Sequence, residues 1–131
     1  MTFVLIDYKG GSAFKDCVNL PHTVGMVTDL DAHLTARALT SLAAELRRRE
    51  RLFAAADAAD LDAYQAAGRR LARLVIVIDE FASLIAELPD FVTGLVDLAR
   101  RGRSLGIHLV MATQRPAGVV SSEIRANTAL R

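Results

Sequence analysis

Apolar residues along this chain follow two distinct periods. Four stretches are short and almost continuously apolar: residues 3–6 (FVLI), 24–27 (VGMV), 74–78 (LVIVI) and 107–112 (IHLVMA). Runs of that length, bounded by Gly, Pro or acidic residues, predict short strands. The run at 74–78 has no polar alternation at all, so it is expected to be buried on both faces of a parallel sheet. Between the runs the spacing changes to three and four. From Asp31, the residues Leu34, Ala38, Leu42, Leu46 and Phe53 predict an amphipathic helix of about five or six turns, with Thr28 and Asp29 available as caps. Its far end (Glu45, Arg47, Arg48, Arg49, Glu50, Arg51) reads mostly as a solvated face. Residues 57–67 predict a short helix capped by Asp60 and stopped by Gly68. Residues 81–87 predict a helix interrupted at Pro89, and a further one runs from Asp90 to about Ser104, ended by Gly106. A last short helix is expected around residues 121–127. Strands alternating with helices in units of about 30 residues predict an α/β fold with a parallel sheet.

Size and composition narrow the class. A chain of 131 residues holds at most one domain, and 52% apolar content with a net charge of +1 fits a globular fold rather than a disordered chain. Near-neutrality gives no support for a nucleic-acid surface. No apolar run reaches the roughly 18–20 residues that span a bilayer, and the start MTFVLIDYKGG has no signal-peptide pattern. The lone Cys17 fits a reducing compartment, and its expected role is that of a small buried hydrophobe. His22, His33 and His108 have no zinc-like spacing, so metal binding through His and Cys is not expected. The chain opens directly on a buried strand, so Met1 is expected to be a fragment boundary.

Candidate chemistry gathers where the strands end. The run 74–78 is followed by Asp79 and Glu80, two acids emerging at the strand end where α/β sheets place ligands. In phosphate-transfer ATPases this is the Walker B arrangement: the first acid holds Mg²⁺ through water and the second polarises the attacking water. The same pair also fits a simple helix N-cap, with Glu80 near the positive end of a helix dipole. Thr113 and Gln114 leave the run 107–112 at the same sheet edge, where an amide can bond a γ-phosphate or the attacking water. Asp7, Lys9, Gly10 and Gly11 leave the first strand and fit either a phosphate contact or an ordinary tight turn. Arg100, Arg101 and Arg103 cluster before the last strand, while Arg37, Arg125 and Arg131 stand apart. No G-x-x-x-x-G-K-[ST] phosphate loop is present in these residues.

These elements together resemble the FtsK/SpoIIIE family of motor ATPases. The resemblance is carried by DYKGG (7–11), LPHTVGMVTDLD (20–31), ELRRRE (45–50), VIDEFA (77–82), GRSLGIHLVMATQRP (102–116) and IRANTALR (124–131). DYKGG and LPHTVG favour the EccC-type ATPases of type VII secretion, because the DNA-translocating branch typically has DPK in place of DYKGG. The resemblance implies a RecA-like P-loop NTPase core, a three-layer sandwich around a parallel sheet. Residues 1–131 would form one partial domain carrying core strands 2, 3 and 4, with the Walker A loop upstream and the strand at 107–112 left as an open edge. It further implies ATP and Mg²⁺ at an inter-subunit site, with Asp79 and Glu80 as the Walker B acids, Asp79 on the metal, and Thr113 and Gln114 at the nucleotide. Gln114 would be the phosphate sensor. Arg103, Arg37 and Arg131 fall at family-typical arginines, any of which could complete a neighbour's site.

Three functions follow from the resemblance. The leading one is part of a motor that hydrolyses ATP to drive protein export. It would work as a ring, expected to be a hexamer, with secreted proteins and membrane components as partners. It would be the cytoplasmic part of a protein anchored in the plasma membrane by segments outside these residues. The second is a DNA translocase, and the third a non-catalytic remnant that docks partners. The isolated chain is expected to be nearly inactive without the phosphate loop.

Overall fold

The computed structural model describes residues 1–7, 13–28 and 32–114. Four strands form one sheet: β1 (Thr2–Asp7), β2 (Thr23–Thr28), β3 (Leu74–Asp79) and β4 (Ile107–Met111). All neighbours are parallel and the order is β2-β1-β3-β4. Strands β1, β3 and β4 are therefore contiguous and β4 lies at the edge of the described sheet, as the family resemblance implies. A one-residue irregularity between Phe3 and Val4 offsets β2 against β1, and beyond it the register holds to the strand ends.

The helices are α1 (Ala32–Ala55), α2 (Leu61–Ala66), α3 (Phe81–Glu87) and α4 (Pro89–Gly102), with a 3₁₀ turn at Lys15–Cys17. Helix α2 starts where Asp60 places its carboxylate on the Ala63 N–H at 2.8 Å. It stops at Gly68, whose φ of +76° suits a residue without a Cβ. Pro89 separates α3 from α4 and takes the first helical position of the latter, where its missing N–H costs nothing. Gly106 turns the chain into β4 with φ +74°, and an added Cβ would lie 2.4 Å from Leu61 Cδ2, so both conformation and space require glycine.

One continuous core joins one face of the sheet to all four helices. Ile6, Leu74, Ile76, Ile78 and Ile107 meet Leu42, Leu46 and Phe53 of α1, Leu61 and Tyr64 of α2, Phe81 and Leu84 of α3, and Phe91, Val92, Leu95 and Leu98 of α4. Phe53 and Tyr64 stack with ring centres 4.9 Å apart. Each such side chain, fully buried, contributes about 1.5–3 kcal/mol of transfer free energy.

Several expectations need correction. Strand β3 is not uniformly buried: Leu74, Ile76 and Ile78 are, whereas Val75 and Val77 on the opposite face are half-buried. Strand β4 is likewise buried on one side only, with His108 and Val110 exposed. The helices among the described residues all pack against the first face; on the second, Leu5 is buried whereas its neighbours Val75 and Val77 are only half-buried. On α1, Leu34 is exposed, and Arg49, expected in solvent, is buried. Arg49 falls on the stripe Leu42, Leu46, Arg49, Phe53, whose spacing of four, three and four points to the core. Cys17 is half-buried rather than buried and carries a free thiol. The helix expected at 121–127 lies outside the described residues.

Candidate active site

The C-terminal edge of the sheet collects the acids. FVLID (3–7) and VIVID (75–79) carry the same pattern, and the structure pairs them residue for residue, ending with Asp7 beside Asp79. Adjacent strands lie about 4.8 Å apart, so these carboxylates leave the sheet as neighbours. Asp7 is buried, and its Oδ2 accepts the Ala13 N–H at 3.0 Å, which ties Ala13 to the end of β1. The signal for Asp7 was the repeated apolar-run-then-Asp pattern, but its pairing with Asp79 required the strand order. Lys9, Gly10 and Gly11 lie outside the described residues.

Asp79 and Glu80 have different surroundings. The Asp79 Oδ1 accepts the Glu80 N–H at 3.0 Å, and its other oxygen has no hydrogen-bond partner among the described residues, on a half-buried side chain. Glu80 is left-handed, with φ 51° and ψ 51°, a region uncommon for a side chain of its size. It stands at the N-cap position of α3 yet makes no capping hydrogen bond, so the helix-cap reading does not describe its side chain. Its carboxylate turns instead toward β4. The Thr113 Oγ1–H donates to Oε1 at 3.1 Å, and the Gln114 N–H reaches Oε2 at 3.5 Å. Two backbone bonds fasten the same junction: Ala112 N–H to Ile78 O at 2.9 Å, and Phe81 N–H to Ala112 O at 3.0 Å. Asp79, Glu80, Thr113 and Gln114 are thereby brought together at one sheet edge.

The arginines are not brought to this place. Arg103 follows α4 and precedes β4, at the opposite edge of the sheet. Strand β4 alone separates the two edges by roughly 16 Å at about 3.3 Å per residue. There Arg103 lines a cleft of about 480 Å³ with Asp60, Arg73, Arg100 and His108 among others. Of its neighbours in sequence, Arg100 pairs with Asp97 at 2.6 Å and Arg101 with Glu50 at 3.5 Å. Arg37 is exposed near the start of α1. Arg125 and Arg131 lie outside the described residues.

The FtsK/SpoIIIE family model matches residues 1–118. The chain belongs to the FtsK/SpoIIIE family. It is 48% identical to the type VII secretion system protein EssC of Staphylococcus aureus, over 98% of this chain and 9% of that protein. It is 40% identical to the ESX secretion system protein EccC of Geobacillus thermodenitrificans, over 100% of this chain and 9% of that one. The solved cytoplasmic domain of the type VII secretion ATPase EccC from Thermomonospora curvata superposes with a TM-score of 0.84 at 35% identity, covering 97% of this chain and 16% of that one. ATPases 2 and 3 of T. curvata EccC, solved in complex with a signal sequence peptide, give a TM-score of 0.80 at 25% identity, covering 96% and 24%. The chain thus spans about a tenth of the curated relatives' length, and its fold is that of their P-loop ATPase domains. No helix among the described residues is long and apolar enough to cross a membrane.

Proposed function

We propose that this chain is the Walker B and sensor part of an ATP-hydrolysing domain that powers protein export by type VII secretion. The observation that carries the reading is the junction of β3 and β4, where Asp79, Glu80, Thr113 and Gln114 converge at the ligand-binding edge of a parallel sheet. The donor set fits a hydrated Mg²⁺: Asp79 has one committed oxygen and one available, which suits a cation that keeps several waters and takes few carboxylates. When bound, the ion would neutralise charge on the β- and γ-phosphate oxygens. Asp79 would hold its water shell, Glu80 would accept a hydrogen bond from the attacking water and orient it, and the Gln114 amide would contact the γ-phosphate.

The grip on the β- and γ-phosphates would come from a loop outside these residues, and a neighbouring subunit would lend an arginine. Arg103 and Arg37 are the candidates among the described residues, with Arg131 beyond them. Arg103 is too far along β4 to serve its own chain's acids, so its role would be in trans. The domain would work on the cytoplasmic side of a membrane-anchored machine, as a ring of copies; the matched T. curvata structure is likewise of a cytoplasmic domain. The signal-peptide complex of T. curvata EccC supports secreted proteins as cargo. The deciding experiment is Glu80→Gln in the full-length protein containing this chain, with turnover and ATP affinity measured together. Turnover is expected to fall by about a hundredfold or more with ATP binding retained; wild-type turnover would refute the assignment and leave the partner-docking reading.

A further inference from the structure

Glu80 holds a conformation that needs support. A left-handed backbone at a non-glycine residue costs on the order of 1–3 kcal/mol and persists only where neighbouring contacts enforce it. Helix α3 gives no such support through a side-chain cap. The described contacts that hold the Glu80 carboxylate both come from the two residues following β4: the Thr113 hydroxyl at 3.1 Å and the Gln114 N–H at 3.5 Å. A threonine hydroxyl has one proton to donate. While that proton is on Glu80, the oxygen offers only lone pairs to anything else, which repel rather than bind a phosphate oxygen.

We propose that Thr113 is a positioning residue for Glu80 and not a nucleotide ligand: its hydroxyl aims the Glu80 carboxylate and makes Glu80 and Gln114 move as one unit. This rests on the ATPase reading above. Its consequence is mechanical. The Ala112 bonds to Ile78 and Phe81 tie the backbone on both sides of Glu80 to the end of β4, and the Thr113 bond ties its side chain to the same place. A displacement of Gln114, such as loss of its γ-phosphate contact, then reaches the water-orienting carboxylate directly, through adjacent residues. The state of the phosphate and the aim of the base become one variable.

The test compares Thr113→Val, which keeps the shape and removes the hydroxyl, with Thr113→Ser, which restores it. Both are made in the full-length protein, alone and with Glu80→Gln, and kcat and ATP affinity are read for each. Thr113→Val should lower kcat by about 10- to 100-fold, the effect of misplacing a catalytic group by an ångström or less, with the Kd for ATP within about twofold. Thr113→Ser should recover most of that loss. In the Glu80→Gln background, Thr113→Val should cost little more, because its effect acts through the missing carboxylate. A tenfold weaker ATP affinity, a serine variant as poor as valine, or full multiplication of the two losses would overturn the proposal. If the valine variant fails to fold, Thr113→Ala against Thr113→Ser supplies the same comparison. Failure of the underlying reading is separately visible, as wild-type turnover in the Glu80→Gln single variant.

Discussion

The two edges of this sheet use charged residues in opposite ways. At the N-terminal edge Arg49 is buried and bonded through all three of its nitrogens. Its guanidinium bonds Glu45 at 2.7 Å and donates to the carbonyls of Ala72 at 2.9 Å, Leu105 at 2.8 Å and Gly106 at 3.4 Å. It thereby ties α1 to the chain entering both β3 and β4. At the C-terminal edge, Glu80 sits in a sparsely populated conformation, its carboxylate held by longer contacts of 3.1 and 3.5 Å. A planar fork bonded inside the protein is a fastening; a carboxylate held in a strained conformation, at the edge where parallel sheets usually take ligands, fits the catalytic role proposed for it. The sequence pattern placed Glu80 at a site but Arg49 in solvent, because RRR in a helix looks like surface.

The contrast can be broken at several points. The largest effect is expected for Arg103→Ala. If the N-terminal edge completes a neighbour's site, hydrolysis by the assembled protein should fall by about a thousandfold, while a dispersed form shows no change. Steady-state turnover across a dilution series would show it, and an equal loss in both forms would exclude a role in trans. The same loss from Arg37→Ala instead would move the trans group to α1.

Arg49→Ala should come next. It leaves the Ala72, Leu105 and Gly106 carbonyls without this donor and Glu45 without its buried partner, a cost of about 3 kcal/mol or more in unfolding free energy. Urea denaturation would measure it. Arg49→Lys should recover only a small part, since an ammonium cannot span three separated acceptors. Glu80→Gln sharpens the contrast from the other side: its loss of about a hundredfold should appear in turnover, with an unchanged denaturation midpoint.

The smallest effect concerns Glu45. Burial pushes its carboxyl up, but hydrogen bonds and charges from Arg48 and Arg49 outweigh burial and hold it below its ordinary value. A carboxyl lowered by folding contributes stability that is fully present above the ordinary value and is lost as the pH falls through the folded one. Stability should therefore decline as the pH drops below about 4.5, by less than about 1 kcal/mol from this group. Glu45→Gln should flatten that part of the curve in a pH series of melts.

Much of this was legible beforehand because it depends on local chemistry. The strand at 74–79, the turn into α3, the proline between α3 and α4, the Asp60 cap and the Gly68 stop each follow from a few adjacent residues, and each stands where the pattern puts it. Asp79, Glu80, Thr113 and Gln114 were also named from sequence, since each closes an apolar run. Their contact was not readable, because residues 33 positions apart meet only once β3 and β4 lie side by side.

The sequence by itself determined the alternation of strands and helices, the acids at their ends and the family, because periodicity and short motifs are properties of neighbouring residues. Only the tertiary structure decided that Asp7 stands beside Asp79, that Arg49 is interior, that Arg103 lies at the far edge, and that Glu80 turns from its own helix to Thr113. Those outcomes depend on strand order and on which face the helices cover, and neither is encoded within any single stretch of the chain.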